Sequence, residues 1–406
     1  MTSLPLEGYT VVAVEQAVAA PFATRHLADL GARVIKIERP GCGDLARGYD
    51  HVVHGTSSHF VWLNRGKESF AVDLKDPAGR AVARRLISQA DVFLQNLAPG
   101  AAARLGLDAE TLRGDKPELI VVNLSGYGSG GDMENRKAYD MLIQAEAGLI
   151  SITGTPEEAV KTGIPTADIA AGMYCTQAVL SALLRRERTG VGATVEVTMF
   201  EATAEWMGHP MYVQLYEHRQ TPRMGLSHAA IAPYDAYPTA DGQILIGVQS
   251  DSGWRSLATN VLRDDELATD ERFATNVLRV ENRAMCDALI AAHTVRWTTA
   301  DLDARLAEAG VPAAQVSTVS DLVGHRQLRA RRRWRSIQTE GGLADALLPP
   351  VTFGDVEAAM GDVPALGQHT RALLVESGAT PDEVDAMFEH GSAEEHAILH
   401  TQGAPA

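Results

Sequence analysis

Residues 9–38 read YTVVAVEQAVAAPFATRHLADLGARVIKIE, and this stretch sets the fold class. Tyr9–Val14 is a short apolar run rich in β-branched residues, which is typical of a strand buried on both faces. Pro21–Leu30 has the apolar spacing of a helix, and Gly31 is suited to end it. Val34–Glu38 is a second strand of the same kind. The order strand, helix, strand predicts parallel strands joined by a helical crossover.

The alternation of strands and helices continues along the first half of the chain. Asp76 and Pro77 are suited to the N-cap and first turn of one of the helices. Further strands are predicted at Ser69–Leu74, Asp91–Leu94, Leu119–Leu124 and Ala193–Met199, and helices at Asp76–Gln89, Tyr139–Gly154 and Asp168–Arg186. We therefore predict an α/β fold whose large domain is a doubly wound, Rossmann-like, mostly parallel sheet.

Changes in composition predict the domain boundaries. Residues 216–242 carry scattered Pro, Gly and His and look like a linker, and the strand QILIGV at 243–248 opens a smaller α+β domain. We predict that 1–215 forms the N-terminal part of the large domain, 216–242 a linker, 243–325 the small domain, and 326–406 a return linker with the C-terminal part of the large domain.

Composition and charge narrow the class of protein. The chain has 406 residues, of which 45% are hydrophobic and 22% charged, enough apolar material for a folded core. With 36 basic and 52 acidic side chains, the net charge of -16 argues against a nucleic-acid surface and favours a soluble cytoplasmic protein. We expect no signal peptide and no membrane span, since no apolar stretch approaches ~18 residues. The separated Cys42, Cys175 and Cys286 suggest neither a zinc site nor a disulfide framework, so no metal is expected.

Familiar nucleotide-binding and catalytic motifs do not occur. The sequence has no GxGxxG after the first strand, no GxxxxGK[ST] loop, no GxSxG elbow and no HExxH. Polar residues instead stand near predicted strand ends and helix starts, where open α/β sheets place ligands: Arg39, Asn96, Arg104, Arg136, Lys137 and Asp168. Scattered basic residues suit a polyphosphorylated ligand. The basic residues also have a simpler explanation as solvated surface charges, and Asp168 has one as a helix N-cap.

Several sequence blocks, in order, carry a resemblance to a known family. They are LEGYTVVAVEQAVAAPFATRHLADLGARVIKIERPGCGDLAR (6–47), NRGKESFAVDLKDPAGR (64–80), ADVFLQNLAPGAAARLGL (90–107), YDMLIQAEAGLISITG (139–154), IPTADIAAGMYCTQAVLSALLRRERTGVGATVEVTMFEA (164–202) and LGQHTRALL (366–374). The chain resembles the family III CoA-transferases, the CaiB/BaiF group that includes formyl-CoA, carnitine and dicarboxylate CoA-transferases and the related alpha-methylacyl-CoA racemase. The resemblance extends from Leu6 to about Gly378.

The resemblance implies that Asp168, in TADIAAGMY, is a covalent nucleophile. Its carboxylate would form a mixed anhydride with the donor acyl group and then an aspartyl-CoA thioester, which the acceptor acid attacks. Coenzyme A thioester is then a substrate, and no permanently bound cofactor is expected. The helix that begins near Asp168 could place amides beside the reacting centre or beside the Asp itself.

The resemblance also implies a CoA site by matched position. Val72–Leu74 could equally be no more than a buried strand. Gln16 stands where some formyl-CoA transferases have His, which leaves its role open. The matched positions are Val18, Ala19, Arg39, Val72, Asp73, Leu74, Lys75, Asn96, Leu97, Ala98, Arg104, Arg136, Lys137, Ala138 and Tyr139, with Arg104 and Lys137 favoured for the phosphates.

Two positions help to choose among the branches of the family. The racemase uses a His where this chain has Tyr139, and a phenol, with a pKa near ~10, is a poor base at neutral pH. Asp140 could be a hydrogen-bond anchor within the fold. Formyl-CoA transferase carries a glycine-rich loop in the smaller domain, and residues 243–254 of this chain contain none. By the resemblance, this departure argues against oxalate or formate as substrate. We therefore expect transfer from succinyl-CoA to a dicarboxylic acid such as itaconate, mesaconate, citramalate or glutarate.

A second substrate carboxylate needs a cation or hydrogen-bond donors. Candidates for this contact are Gln16, Arg47, Arg136, Arg223 and His228. The alternatives are a formyl-CoA:oxalate-type or carnitine-type transferase, the racemase, a hydrolase, and a CoA-binding homologue without turnover.

The family resemblance implies an interlocked homodimer, with the LGQHT tail folding back onto the large domain. The basic run at 326–335 could support such a dimer, bind an acidic face, or be a solvated helix face. Its one aromatic residue, Trp334, and the negative net charge argue against RNA.

Overall fold

Seven strands form a central sheet in the computed structural model, which describes residues 3–396. The strands of the described chain are β1 Thr10–Val14, β2 Arg33–Glu38, β3 Lys67–Val72, β4 Val92–Gln95, β5 Ile120–Ser125, β6 Thr194–Thr198, β7 Tyr234–Pro238, β8 Gln243–Gly247, β9 Ala313–Gln315, β10 Trp334–Thr339, β11 Gly342–Leu347 and β12 Ala393–Glu394. The sheet order is β12-β3-β2-β1-β4-β5-β6, and every pair is parallel except β12 with β3. The predicted α/β class with a doubly wound sheet is confirmed.

Helices join and cover these strands. They are α1 Ala19–Asp29, α2 Ser58–Asn64, α3 Pro77–Gln89, α4 Ala101–Arg104, α5 Ala109–Asp115, α6 Asp140–Glu146, α7 Leu149–Ile152, α8 Thr166–Thr189, α9 Met199–Trp206, α10 Gly208–Glu217, α11 Asp251–Ser256, α12 Asp265–Thr269, α13 Asn276–Glu281, α14 Arg283–Thr294, α15 Thr299–Glu308, α16 Val319–Val323, α17 Arg326–Ala330, α18 Thr370–Glu376 and α19 Pro381–Glu389. Shorter helical turns lie at Leu45–Gly48, Leu257–Leu262 and Glu271–Phe273.

The central sheet is buried on both faces because alternate side chains point to opposite sides. Val11 and Ala13 of β1 belong to an apolar cluster with α1 and α8. Val12 and Val14 belong to a second cluster with α3 and the C-terminal helices. The chain winds outward from β1 in one direction through β2 and β3, and in the other through β4, β5 and β6. This reversal places a crevice at the carboxyl ends of the central strands.

Helix α8 packs closely against α1, and Gly172 makes this possible. A Cβ atom at Gly172 would stand 2.7 Å from the carbonyl oxygen of Ala19 and 2.9 Å from Cδ1 of Phe22. The 24-residue α8 is long and apolar enough to cross a membrane by length and composition, contrary to the expectation from the sequence. It is nevertheless part of the core, because Ala170, Ala171 and Cys175 are buried against the sheet.

The LGQHT tail returns to β3, as predicted. The backbone N–H of Gly367 donates to Ser69 Oγ at 2.9 Å, and that of His369 donates to the Ser69 carbonyl at 3.1 Å. Thr370 Oγ1 accepts the N–H of Ala71 at 3.0 Å. Residues 397–406 of the predicted C-terminal segment lie outside the described residues.

The described chain divides into two compact units. The first comprises residues up to 149, 162–209 and those from 332 onward, and the second comprises 150–161 and 210–331. The second unit has an antiparallel sheet, β7-β8-β9, and a core that includes Trp254, Phe273 and Ile290.

Two local expectations from the sequence need correction. The stretch 216–242 contains a strand, because Tyr234–Pro238 pairs with β8, although its Asp and Pro residues disguise the strand pattern. The basic run is a helix only at Arg326–Ala330, and Trp334 then begins β10. Within it, Arg333 is buried and donates to the carbonyl of Leu348, so it is no solvated charge.

We predict that Gly172→Ala destabilises the protein. The better helix propensity of Ala, worth up to about 1 kcal/mol, is outweighed by overpacking against α1, which costs about 1–3 kcal/mol. Urea unfolding followed by circular dichroism measures the difference. Gly114→Ala in α5 is the matched control, because a Cβ there meets nothing within 4 Å. Equal stability of the two variants would show that the α1–α8 contact is not tight.

Candidate active site

A crevice of about 510 Å³ lies at the carboxyl ends of the central strands. It is bounded by the ends of β1, β2 and β3 and by the segment that follows β4. Eight of the residues singled out from the sequence line this one crevice: Gln16, Arg39, Val72, Asp73, Leu74, Lys75, Leu97 and Arg104. The structure therefore brings seven of the fifteen predicted CoA positions, together with the substrate candidate Gln16, to one crevice.

The crevice presents free positive charge. Arg39, Lys75 and Arg104 are exposed, and within residues 3–396 their side chains have no hydrogen bond or ion pair. The crevice is also lined by Glu15 and Glu38, but each of these carboxylates forms an ion pair with a cation of the protein. Glu15 pairs with Lys67 at 2.7 Å, and Glu38 pairs with Arg47 at 2.7 Å. Asp44 pairs with Lys36 at 2.7 Å, and the carboxylate of Asp73 accepts the N–H of Lys75 at 2.8 Å. The three free cations outnumber Asp73, the one lining acid in the described chain that pairs with no cation, which suits phosphate groups.

Arg80 lines the same crevice and was missed in the sequence. Its Nη1 donates to the carbonyl oxygens of Leu74 at 3.2 Å and Lys75 at 2.8 Å, which fixes the loop after β3. Gly79 lets that loop lie on α3, because a Cβ there would stand 2.2 Å from the Asp73 carbonyl oxygen. The signal in the sequence was the Gly-Arg pair at the end of NRGKESFAVDLKDPAGR, one turn into a helix.

The loop after β1 is held by two side chains. Asn96 accepts the N–H of Gln16 and donates to its carbonyl, both at 3.0 Å. Asp44 accepts the N–H of Ala17 at 2.9 Å, and Ala17 has the unusual φ of 63°. Asn96 thus contacts the loop, and it does not line the crevice.

Other predicted CoA positions lie away from the crevice walls. Val18 and Ala19 are buried at the start of α1, where Val18 packs with Phe22 and Leu63. Ala98, Lys137 and Arg136 are outside the crevice lining, as are Ala138 and Tyr139. Nη1 of Arg136 lies 3.5 Å from Oε2 of Glu146, within ion-pair distance. Tyr139 is 71% exposed and immediately precedes α6.

Asp168 is the third residue of α8, whose N-cap is Pro165. The backbone N–H groups of Ala167 and Asp168 donate to Oδ1 of Asp140, at 2.8 and 3.2 Å. Asp140 is thus the hydrogen-bond anchor that the sequence allowed, and these two amides point at Asp140. Within the described chain the Asp168 carboxylate has neither a hydrogen-bond nor an ion-pair partner. Burial, and then the charge of Asp140, raise the pKa of Asp168 to about 7.

Tyr49 is a neighbour of Asp168 that the sequence did not single out. Burial raises the pKa of Tyr49, and the charges of Asp44 and Asp168 add to this effect. Its ring packs edge-on against His59, at 5.5 Å between centroids. A tyrosine in the turn GYDH carries no pattern that would distinguish it from a surface aromatic residue.

The candidates for a second substrate carboxylate are scattered. Arg47 donates to both oxygens of Glu38 and to the carbonyl of Pro364, with its guanidinium 3.7 Å from the Phe60 ring centre. Arg223 and His228 belong to the second unit. There Arg223 donates to the carbonyl of Thr155, and His228 accepts the N–H of Ala230. Gln16 alone of these candidates lines the crevice.

Comparisons with known proteins agree on one family. Residues 6–370 match the profile of CoA-transferase family III. The chain is 32% identical over 382 residues to a succinate–glutarate CoA-transferase of Agrobacterium fabrum, covering 92% of this chain and 95% of the relative. It is 34% identical over 399 residues to a succinyl-CoA–D-citramalate CoA-transferase of Chloroflexus aurantiacus, covering 95% and 97%. The crystal structure of a CaiB/BaiF family protein from Brucella suis matches with a TM-score of 0.82 and 35% identity, over 93% of this chain and all of that one.

We predict that Asp168→Asn stabilises the protein at pH 8 more than at pH 5. The folded-state pKa of about 7 lies above the ordinary aspartate value of 3.8, so the native state keeps its proton to a higher pH than the unfolded state does. The free energy of unfolding then falls as the pH rises through this window, and Asn does not ionise. The shift corresponds to about 4 kcal/mol at most, which relaxation around the partly exposed carboxylate should reduce to about 1–2 kcal/mol. Thermal unfolding at both pH values measures it, and an offset that is the same at both would contradict the burial of charge.

Proposed function

Because the chain belongs to CoA-transferase family III, we propose that it transfers CoA from succinyl-CoA to a small dicarboxylic acid through acyl intermediates on Asp168. The observation that carries the mechanism is the half-buried Asp168 carboxyl, which has no partner in the described chain, while the Asp168 backbone N–H is bonded to Asp140 at the start of α8. The activities named for the relatives support dicarboxylic acids as acceptors. Itaconate, mesaconate, citramalate and glutarate are the acids we would test first.

The crevice at the strand ends is the proposed CoA site. Arg39, Lys75 and Arg104 supply cations for the phosphates, because no other described residue uses their charge. Arg80 holds the loop that carries Lys75, which keeps one wall of the crevice in place. Gln16 and Leu97 line the same space. The buried acids Glu15, Glu38 and Asp44 beneath it do not repel the ligand strongly, since each pairs with a cation of the protein at 2.7 Å.

The proposed chemistry has four steps, which begin and end with the free Asp168 carboxylate. An oxygen of Asp168 attacks the thioester carbonyl of the donor, the C–S bond breaks, and CoA leaves as the thiolate. The thiolate attacks the Asp168 carbonyl carbon of the anhydride and releases the donor acid. The acceptor carboxylate attacks the resulting aspartyl-CoA thioester and again releases the thiolate. The thiolate then attacks the acceptor's acyl carbon, which forms the new acyl-CoA and frees the Asp168 carboxylate.

The raised pKa of Asp168 favours this role. A carboxylate taken out of water is less solvated and therefore more nucleophilic than one at the surface. With a pKa of about 7, a substantial fraction of Asp168 is ionised at neutral pH. The racemase alternative would need a base at residue 139, and the phenol of Tyr139 does not supply one.

We also propose that the protein is a homodimer. The outward face of α8 carries the exposed apolar side chains Met173, Leu180 and Leu184, which recur at helical spacing. An apolar stripe on the longest helix of the first unit fits a second copy of the chain. Analytical ultracentrifugation tests this proposal.

Asp168→Ala should abolish CoA exchange and leave CoA binding intact. Mass spectrometry of mixtures of succinyl-CoA with itaconate, mesaconate, citramalate, glutarate, oxalate, formate and carnitine measures the products. New acyl-CoA from one or two dicarboxylic acids, formed at least 1,000-fold more slowly by the variant, is the expected result, because the proposed anhydride forms on the Asp168 carboxylate that the variant lacks. Near-normal exchange by Asp168→Ala would overturn the mechanism. Exchange of the α-proton of a 2-methylacyl-CoA without CoA transfer would instead indicate a racemase.

Arg104→Ala should raise the KM for the acyl-CoA about 10-fold or more and leave kcat within about 3-fold, since a charged hydrogen bond to phosphate contributes about 1.5–3 kcal/mol. The loss should shrink at high salt, which screens the charge at an exposed site. Arg255→Ala is the matched control, because Arg255 is exposed in the second unit and does not line the crevice. An unchanged KM would remove Arg104 from the CoA site.

A further inference from the structure

Gln144 is a polar side chain with no exposure to solvent, at the centre of a chain of hydrogen bonds that ends at Asp168. Its Nε2 donates to Oδ2 of Asp140 at 2.6 Å. Its Oε1 accepts the backbone N–H and the hydroxyl of Thr162, at 3.1 and 3.0 Å. Both ends of the amide are therefore used, which is what a buried amide requires.

The start of α8 cannot cap itself. Its N-cap is Pro165, which makes no side-chain cap hydrogen bond. The first amides of a helix need acceptors, and here two of them are satisfied by Asp140 from α6. Since one of these amides belongs to Asp168, the orientation of the Asp140 carboxylate sets where the Asp168 backbone lies.

We propose that Gln144 is a positioning residue for the nucleophile, because it fixes the Asp140 carboxylate that holds the backbone of Asp168. This inference rests on the proposed function of Asp168. Gln144 grips one oxygen of Asp140, which leaves the other oxygen directed at the amides of α8. The oxygen of the Gln144 amide is held by Thr162. The Thr162 hydroxyl also lies 2.8 Å from the hydroxyl of Thr166, the first residue of α8.

In this arrangement a small displacement of Asp168 should have a large effect on the rate of CoA exchange. Asp140 contacts the Asp168 amide at 3.2 Å, and the path from Gln144 to that amide runs through a single carboxylate. A nucleophile displaced by about 1 Å can lose ~100-fold in rate. The cations of the crevice lie on other segments, so CoA binding should be spared.

Gln144→Met tests the proposal, because Met has a similar length and forms none of these hydrogen bonds. We expect kcat for CoA exchange to fall about 10- to 100-fold, with the KM for the acyl-CoA changed less than about 3-fold. Gln89→Met, on the exposed end of α3, is the matched control and should leave both constants unchanged. A Gln144→Met enzyme with wild-type kcat, or one whose loss lies entirely in KM, would overturn the proposal.

Gln144→Glu supplies a readout that a purely structural role would not move. A protonated Glu can still donate to Asp140, whereas an ionised Glu cannot and repels it. We expect kcat of this variant to rise and then fall as the pH increases, where the wild type rises to a plateau as Asp168 ionises. The charged neighbour that acts on Asp168 is Asp140. Asp168 in turn helps to raise the pKa of Tyr49, near which Tyr139 also lies. A Gln144→Glu profile of the wild-type shape would count against the proposal.

Thr162→Val tests the positioning role of Gln144 if neither Gln144 variant folds. It removes the hydroxyl and keeps the backbone N–H that Gln144 also accepts, so we expect a loss of about 3- to 10-fold in kcat. An unchanged kcat would then overturn the proposal. Failure of the underlying function is recognised separately, because wild-type enzyme would show no exchange, or exchange that Asp168→Ala retains.

Discussion

Glu15, at the end of β1, holds the ammonium groups of Lys36 and Lys67 in a place where all three side chains are cut off from solvent. Lys36 also pairs with Asp44 at 2.7 Å, and Asp44 accepts the N–H of Ala17. Burial opposes the charge on Lys36, but Asp44, Glu15 and Glu38 together raise its pKa above the usual value. Removal of one partner from such a group leaves a buried charge uncompensated, at a cost of about 3–5 kcal/mol. The loops that shape the crevice therefore depend on this cluster.

The same cluster separates two kinds of charge. The buried acids under the crevice are satisfied by buried lysines and by Arg47, whereas Arg39, Lys75 and Arg104 at its rim are left without partners in the described chain. A protein with a net charge of -16 can in this way present a cationic site to a polyanion. The negative net charge alone would predict a negatively charged crevice. The crevice is cationic because its buried acids are paired with cations of the protein.

Sequence patterns predicted the parts of the structure that local physics determines. Apolar β-branched runs gave the six parallel strands to within a few residues, and Asp76 caps α3 as expected. Strand β12 was not predicted, since two residues carry no pattern. Contacts between distant segments were also out of reach: nothing in VIKIE shows that its Lys36 is buried against Glu15. Arg47 was for the same reason assigned to a substrate, although its guanidinium is bonded to Glu38. Site residues were predicted only at positions that the family resemblance marks. Arg80 had a weak signal in its Gly-Arg pair, whereas Tyr49 and the hydrogen bonds of Gln144 were found only in the structure.

Asp168 stands in an environment that disfavours its own charge. It is largely withdrawn from water, has no cation beside it in the described chain, and lies near the carboxylate of Asp140, which its backbone nevertheless needs. Neutral forms of the side chain escape both penalties. An acyl anhydride and a CoA thioester on Asp168 are such forms, so the site favours the acylated side chain over the free carboxylate. The unfavourable electrostatics that raise the pKa of Asp168 thus act in the direction of the proposed chemistry, and the hydrogen bonds that the Ala167 and Asp168 amides donate to Asp140 hold the Asp168 backbone in place.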